Sequence, residues 1–413
     1  MHNSITSEMV INMVLKYTKH PYVEIIKKIS SMHPSYSAKQ IINSVGEDLY
    51  TNLISDNDRR LLQLAFQPKL TQENLDEFLK QWDIEAAGAD RAAILAYTMK
   101  LHPELKFNNY TGPRLKGLLN YLRFQNLELI SHFSRIVHRL NQKRITPILI
   151  KGGAMRYLRS DLPRVMGDID ILVHSEDELT TAQKLVKEMG YIYTDAGHSF
   201  DVHTKDNVEK GILDIHRFFS FLPELNERFN KALFSRIEKK RIFSVDAYLP
   251  CKEDMFFICL NNLTVNLRSG ACIRGIAYNL FDLEYLINSK EDFNWDIVAQ
   301  NILMTHTEAT TYFAMQFVNQ VLPDIIPNKI LLNSRLNNEV EKLINHDKFY
   351  ALYVHDVKYA CKKLKLKKAI RHWTTFKEYL RLEGQHFFTK RILKHPFLIR
   401  YFFKYFGKSK NAN

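Results

Sequence analysis

The chain has 413 residues, of which 46% are hydrophobic and 25% charged, as in an ordinary soluble globular protein and unlike disordered, collagen-like or disulfide-scaffold chains. Only 14 Gly and 12 Pro occur, and a chain so poor in helix breakers is expected to be mostly helical. The formal net charge of +13 would suit a nucleic-acid-binding surface if it were spread over the whole molecule.

Helical patterns dominate the first third of the chain. Residues 1–105 predict short helices joined by polar turns and contain no chemical motif, so packing or partner recognition is their expected role. Residues 113–143 predict a longer amphipathic helix, because apolar residues recur at helical spacing from Leu115 to Leu140. Pro113 suits the first turn of that helix.

The period of the pattern changes after this helix. Residues 147–150 form a short apolar run that predicts a buried strand, and residues 166–173 predict a second one. A capping box that begins at Ser175 predicts the helix that follows. Further strands are predicted over 191–194, 199–203 and 211–218. We therefore expect an α+β fold, in which a small mixed sheet is embedded in a mostly helical protein.

Three aspartates fall in these strands. Asp168 and Asp170 are two residues apart, so in a strand they would project from one face about 7 Å from each other. Neighbouring carboxylates repel unless a cation lies between them, and a hard divalent ion is the natural partner. Asp214 would join them if its own strand pairs alongside. Three carboxylates around two metal ions are an arrangement that performs in-line phosphoryl or nucleotidyl transfer.

Two glycines follow the first predicted strand and open a short helix predicted over 154–159. Without side chains, Gly152 and Gly153 would let backbone N–H groups approach a phosphate at the helix N-terminus. The structural alternative is a tight turn that binds nothing. Cationic side chains that could neutralise a triphosphate or a leaving pyrophosphate lie close in sequence: Lys151, Arg156, Arg159 and Arg164.

In combination, these segments resemble a bacterial family of uncharacterised nucleotidyltransferases, NTP_transf_5, within the superfamily related to polymerase beta. The resemblance is carried by Leu149–Ala154, Arg164–Val173 and Leu213–His216, and it covers roughly residues 113–300. Leu249-Pro250 with Asp254, and Asp282 ahead of Trp295-Asp296, are similar to the helical second half of the family.

The resemblance implies roles for the three aspartates. Asp168 and Asp170 would be metal ligands, and Asp214 would be a third carboxylate that binds a metal and activates the acceptor hydroxyl. The cofactor would be Mg²⁺ or Mn²⁺. The residues expected to bind the nucleotide are Lys151, Gly152, Gly153, Arg164 and His216.

Some of these assignments have structural alternatives. His216 shares a strand face with Asp214, so it could order that carboxylate, touch substrate or be a structural histidine. Arg164 could instead form a surface salt bridge. Gly153 stands where the superfamily often has Ser, and Asn261-Asn262 stand where the family has a His-bearing stretch.

Helix is predicted again from residue 250 to the end of the chain. We expect Arg274 and Asp282 to form an ion pair between packed helices. The positive charge lies in residues 357–413, which contain 16 Lys and Arg against 2 Asp and Glu, whereas residues 1–356 contain 42 and 43. This segment is also rich in aromatic residues. We expect it to pack on the body of the protein, with weak binding to an anionic membrane or to nucleic acid as a secondary property.

Several features bear on location. No uncharged apolar run reaches 18 residues, and residues 1–20 lack the apolar core of a secretory signal. The cysteines form no CxxC pair, which argues against a zinc knuckle, and four free thiols suit a reducing compartment. The sequence therefore predicts a cytoplasmic protein, with the basic segment as a candidate contact to the inner face of the membrane. The cysteines are Cys251, Cys259, Cys272 and Cys361.

The sequence thus predicts four regions: helices over 1–110, a nucleotidyltransferase core over 111–245, a helical domain over 246–356 and the basic segment over 357–413. The predicted reaction moves a nucleoside monophosphate from an NTP such as ATP to a hydroxyl on a sugar, lipid, peptide, protein or RNA. The alternatives are a catalytically silent nucleotide-binding or interaction module and a toxin-like enzyme that modifies RNA.

Overall fold

The computed structural model of the protein describes residues 54–160, 164–195, 199–219, 223–269, 273–289, 292–305, 307–327 and residue 330. The fold is α+β, as predicted, and its sheet is mixed. The basic segment 357–413, Cys272 and Cys361 lie outside the described residues, as do the predicted elements before residue 54. Cys251 and Cys259 are free thiols, as expected.

Within the described residues, four helices precede the sheet. The last of them is the long amphipathic helix predicted from the apolar spacing, and it contacts three strands of the sheet. Its buried side includes Leu115, Leu122, Leu129 and Ile136, which repeat every seven residues, close to two helical turns. The four helices are α1 (Asp56–Ala65), α2 (Gln72–Lys80), α3 (Ile84–Leu101, broken at Gly88) and α4 (Thr111–Gln142).

Over the described residues, the sheet has seven strands in the order β3-β4-β5-β2-β1-β7-β6. Strand β2 lies at its centre between an antiparallel neighbour, β1, and a parallel neighbour, β5. The strands are β1 (Ile148–Leu149), β2 (Ile169–Leu172), β3 (Ile192–Asp195), β4 (Ser199–Thr204), β5 (Asn207–His216), β6 (Glu238–Ile242) and β7 (Val245–Leu249). Helices α5 (Lys151–Leu158) and α6 (Glu176–Glu188) connect the early strands.

The hairpin of β6 and β7 was not predicted from the sequence. Its first strand is largely charged and exposed, because it forms the edge of the sheet. Its turn places Phe243 and Ser244 at positive φ, 46° and 71°, where turn chemistry would suggest Gly or Asn. Strand β7 pairs with β1 and so adds this hairpin to the sheet.

From Lys252 to Val321 the described residues form helices joined by short connections, as predicted for this part of the chain. Helix α8 contacts α9, α10 and α11, and α9 also contacts α3 from the first half of the chain. Among these helices, the buried Asp254 accepts two hydrogen bonds from Arg236 and one from Asn301. The helices are α7 (Pro223–Phe234), α8 (Lys252–Ser269), α9 (Ile273–Asn288), α10 (Trp295–Thr305) and α11 (Glu308–Val321). Within the described residues, no helix is sufficiently long and apolar to span a membrane.

The expected ion pair between Arg274 and Asp282 is wrong. Asp282 instead pairs with Arg164, whose Nη2 lies 2.7 Å from a carboxylate oxygen. Arg274 pairs with Asp90 of α3 at 2.9 Å. The two residues lie about two turns apart on α9, and each pairs with a partner on a different element, so spacing along one helix could not identify the pairs.

Gly153 is required by the packing of α5 on the sheet. A Cβ atom at this position would lie 2.7 Å from Leu149 Cδ1 and 3.0 Å from Ile169 Cγ2, both in the buried strands β1 and β2. The absence of a side chain therefore lets the first turn of α5 approach the strand that carries the aspartates.

We predict that Gly153→Ala lowers the free energy of unfolding by about 1–3 kcal/mol, because two core side chains must move to admit one methyl group. The measurement is denaturant-induced unfolding. Gly117→Ala is the matched control, since a Cβ at that exposed position of α4 meets nothing within 4 Å. That control should raise stability by up to about 1 kcal/mol, because Ala favours helix over Gly. Equal stability of Gly153→Ala and the wild type would contradict the packing argument.

Candidate active site

Two aspartates from neighbouring strands meet at the centre of the sheet. Asp170 of β2 and Asp214 of β5 are register partners in a parallel pair, so their side chains leave the same face side by side. Asp168 stands just before β2, which begins at Ile169. The predicted pairing of the Asp168–Asp170 strand with the Asp214 strand is therefore confirmed.

His216 bridges the carboxylates of Asp170 and Asp214. Its Nε2 lies 3.0 Å from Asp170 Oδ1 and 2.8 Å from Asp214 Oδ2, and its side chain is 3% exposed. A nitrogen that contacts two carboxylate oxygens at these distances carries a proton and donates it. The histidine therefore fixes how the two carboxylates are oriented relative to each other.

Lys151 approaches the same carboxylates from the end of β1. The residue adopts φ 48°, in the left-handed region, at the turn between β1 and α5. Its Nζ donates to Asp170 Oδ1 at 2.6 Å. Burial by itself would lower the pKa of Lys151, but the charges of Asp170 and Asp214 outweigh burial and raise that pKa above its usual value.

The environment of the cluster shifts the pKa values of its three carboxyl groups in different directions. Burial would raise the pKa of Asp170 and of Asp214, but Lys151 and His216 hold both below the usual value, and Ser199 adds a hydrogen bond to Asp214. Burial would lower the pKa of His216, but the charge of Asp214 raises it to about 9. Burial and the charge of Asp170 raise the pKa of Asp168 to about 7, so the third carboxylate lacks a full counter-charge.

The donor set fits a divalent cation. Asp170, Asp214 and His216 each offer an atom within 4.8 Å of the others, and Asp168 adds a carboxylate beside them. Asp214 Oδ1 is buried without a hydrogen-bond partner among the described residues, so one oxygen of this carboxylate remains for another ligand. Because His216 donates to the aspartates, oxygen atoms are the available ligands, and Mg²⁺ and Mn²⁺ favour such ligands.

A cavity of about 340 Å³ opens above the carboxylates. One wall is formed by Asp168, Asp170, Asp214, Lys151 and the first turn of α5 at Gly152. The other wall consists of side chains from α8 and α9. Gly153 and His216 are buried behind the first wall and do not line this cavity, whereas Lys151, Gly152 and Arg164 do.

Arg164 lies where the two walls meet. Its guanidinium makes a bidentate contact with Asp282, whose side chain is 2% exposed, and lies 5.4 Å from the ring centroid of Tyr278. A Cβ atom on Gly152 would lie 2.5 Å from Arg164 Nη1. The arginine therefore sits directly against the N-terminus of α5, where an anion would be favoured. It forms a buried ion pair in place of the surface salt bridge considered as an alternative.

The α8–α9 wall was not predicted as part of the site. Apart from Gly275, its lining residues have polar or aromatic side chains: Asn262, Asn266, Arg274, Tyr278 and Asn279. The sequence did contain one signal for this wall: Asn261-Asn262 replace the His-bearing stretch of the family. That departure marked the region but did not indicate what binds to it. Ser199 was also missed, because only the β4–β5 register places it beside His216.

The chain matches the family model NTP_transf_5, described as an uncharacterised nucleotidyltransferase, over residues 81–323. This match covers more than half of the chain, and the protein belongs to that family. The matched range includes both walls of the cavity and all seven strands of the described sheet. No curated protein and no solved structure matches the chain. Membership supports nucleotidyl transfer as the general activity.

We predict that Asp170→Asn lowers the affinity for Mn²⁺ at least about tenfold, because it removes a charged oxygen from the centre of the cluster. Isothermal titration calorimetry or Mn²⁺ electron paramagnetic resonance on the nucleotide-free protein measures this directly. Asp206→Asn, at an exposed turn between β4 and β5, is the matched control and should leave the affinity unchanged. Unaltered Mn²⁺ binding by Asp170→Asn would place the metal elsewhere.

Proposed function

We propose that the protein is a metal-dependent enzyme that transfers a nucleoside monophosphate from an NTP to a hydroxyl acceptor and releases pyrophosphate. One observation carries the proposal: three carboxylates and the N-terminus of α5 line a single cavity. The carboxylates suit metal ions and the helix N-terminus suits phosphate, so the two requirements of nucleotidyl transfer meet within one site.

The phosphate groups would bind at the junction of β1 and α5. The first turn of α5 lines this end of the cavity, and the absence of a side chain at Gly152 leaves room for the guanidinium of Arg164 beside it. Lys151 and Arg164 supply positive charge on either side. Both are already held by carboxylates, so they are oriented before a nucleotide enters.

The metal ions would be held by Asp168, Asp170 and Asp214, with His216 behind them as a positioning residue. Two bound Mg²⁺ or Mn²⁺ ions would neutralise the phosphate oxygens and lower the pKa of the acceptor hydroxyl. Lys151 bonds only Asp170, and Asp214 Oδ1 has no partner among the described residues. Asp214 is therefore the carboxylate best able to face the acceptor.

The transfer step follows from this arrangement. The acceptor oxygen forms a bond to the α-phosphorus while the bond between the α-phosphorus and the bridging oxygen breaks. The electron pair of the broken bond leaves with pyrophosphate, whose charge Lys151 and Arg164 offset. The proton of the acceptor hydroxyl passes to Asp214. The acceptor is a hydroxyl group of a sugar, lipid, peptide, protein or RNA.

Replacing a metal-binding aspartate tests the chemistry. We expect Asp168→Asn and Asp170→Asn each to lower transfer of α-labelled nucleotide, and release of pyrophosphate, at least about 100-fold. Each of the four NTPs is tested with acceptors of each class in Mg²⁺ or Mn²⁺. Asp206→Asn should retain full activity. If the wild-type protein binds NTP but releases no pyrophosphate with any acceptor, it is a catalytically silent nucleotide-binding module and the proposal is wrong.

Asp214 should behave differently from the other two aspartates. We expect Asp214→Ala to abolish transfer and to keep most of the affinity for NTP, because Asp168 and Asp170 still hold the nucleotide-bound metal. Nucleotide titration and single-turnover kinetics separate the two effects. Loss of NTP binding with normal catalysis at saturation would contradict this division of roles.

A further inference from the structure

Two asparagines on the far wall of the cavity form a directional chain of hydrogen bonds. Asn262 of α8 donates through Nδ2 to Asn279 Oδ1 at 3.2 Å. Asn279 of α9 donates through its own Nδ2 to the carbonyl oxygen of Gly275 at 2.7 Å. The chain thus runs from the cavity surface at Asn262 into α9, where Asn279 is 2% exposed.

The direction of this chain is fixed by its buried end. A backbone carbonyl can only accept, so Asn279 must turn its amide nitrogen toward Gly275 and its oxygen toward Asn262. Asn262 must then turn its nitrogen toward Asn279. The Oδ1 atom of Asn262 is consequently directed away from the chain and serves as an acceptor whose orientation is set before any ligand binds.

The chemistry of this wall separates it from the metal and phosphate regions. In the described part of α8 and α9, the cavity-lining residues include no carboxylate, and the charge of Arg274 is paired with Asp90 at 2.9 Å. The three asparagines of the wall suit an uncharged polar ligand. When the triphosphate lies at the α5 end, the uncharged part of the nucleotide that remains is the nucleoside.

We propose, on the basis of the proposed function, that Asn262 Oδ1 accepts a hydrogen bond from the nucleoside and thereby determines which nucleotides bind. The donor is an exocyclic amino group of the base or a ribose hydroxyl. A pre-oriented acceptor discriminates strongly against an analogue that lacks the donor, because the acceptor is then left unpaired in a desolvated site.

Nucleotide binding tests this inference without knowledge of the acceptor substrate. Affinities of the full chain are measured in Mg²⁺ by calorimetry for matched pairs: ATP and ITP, CTP and UTP, ATP and 2′-deoxy-ATP, and ATP and 3′-deoxy-ATP. We expect the wild type to prefer the donor-bearing member of at least one pair by about tenfold. The amino/oxo pairs identify the base as the source of the donor, and the deoxy pairs identify the ribose.

The variant Asn262→Leu should lose that preference and leave binding of the other member of the pair nearly unchanged. Asn262→Ala, which favours helix, provides a second variant that does not depend on how a larger side chain packs. Asn261→Leu is the matched control, because Asn261 bonds to the carbonyl of Phe257 within α8 and does not line the cavity. It should keep the wild-type preference.

The outcomes separate the inference from the proposed function. NTP binding without discrimination in any pair, or discrimination that survives in both Asn262 variants, overturns the role of Asn262 alone. Absence of NTP binding by the wild type overturns the proposed function together with this inference.

Discussion

The burial of negative charge at the centre of the sheet is the constraint on which the rest of the site depends. Register pairing of β2 with β5 forces Asp170 and Asp214 together, and Asp168 follows because it precedes β2 directly. Such a cluster is stable only with positive charge nearby, and His216 and Lys151 supply it from two sides. Burial and the charge of Asp170 raise the pKa of Asp168, as expected where two positive charges face three carboxylates.

Much of this arrangement could be predicted because it is encoded locally. The long amphipathic helix, the strand before Gly152 and the aspartate spacing are patterns of a few consecutive residues, and all appear in the structure. Placement of Asp214 beside Asp170 required an assumption about strand pairing, which the register confirms. Local patterns are informative here because the period of the apolar residues indicates which side of a helix or strand is buried.

What the sequence could not predict depends on contacts between distant residues. Arg164 and Asp282 are 118 positions apart, and nothing near either one indicates the other. The sequence of the β6–β7 hairpin lacks the usual signals, because its edge strand is charged and its turn contains no glycine. Gly153 was expected for its access to phosphate, yet its position against Leu149 and Ile169 gives it a packing role. The wall of asparagines exists only because α8 and α9 pack side by side.

The pair of Arg164 and Asp282 has a mechanical consequence. It connects the segment that precedes β2 to α9, and Asn126 of α4 holds the carbonyl of Arg164 at 2.5 Å. A motion that swung α9 away from the sheet would have to break the bidentate contact between the Arg164 guanidinium and the Asp282 carboxylate. The two walls of the cavity are therefore tied together at its rim, and the contact opposes any widening of the cavity between them.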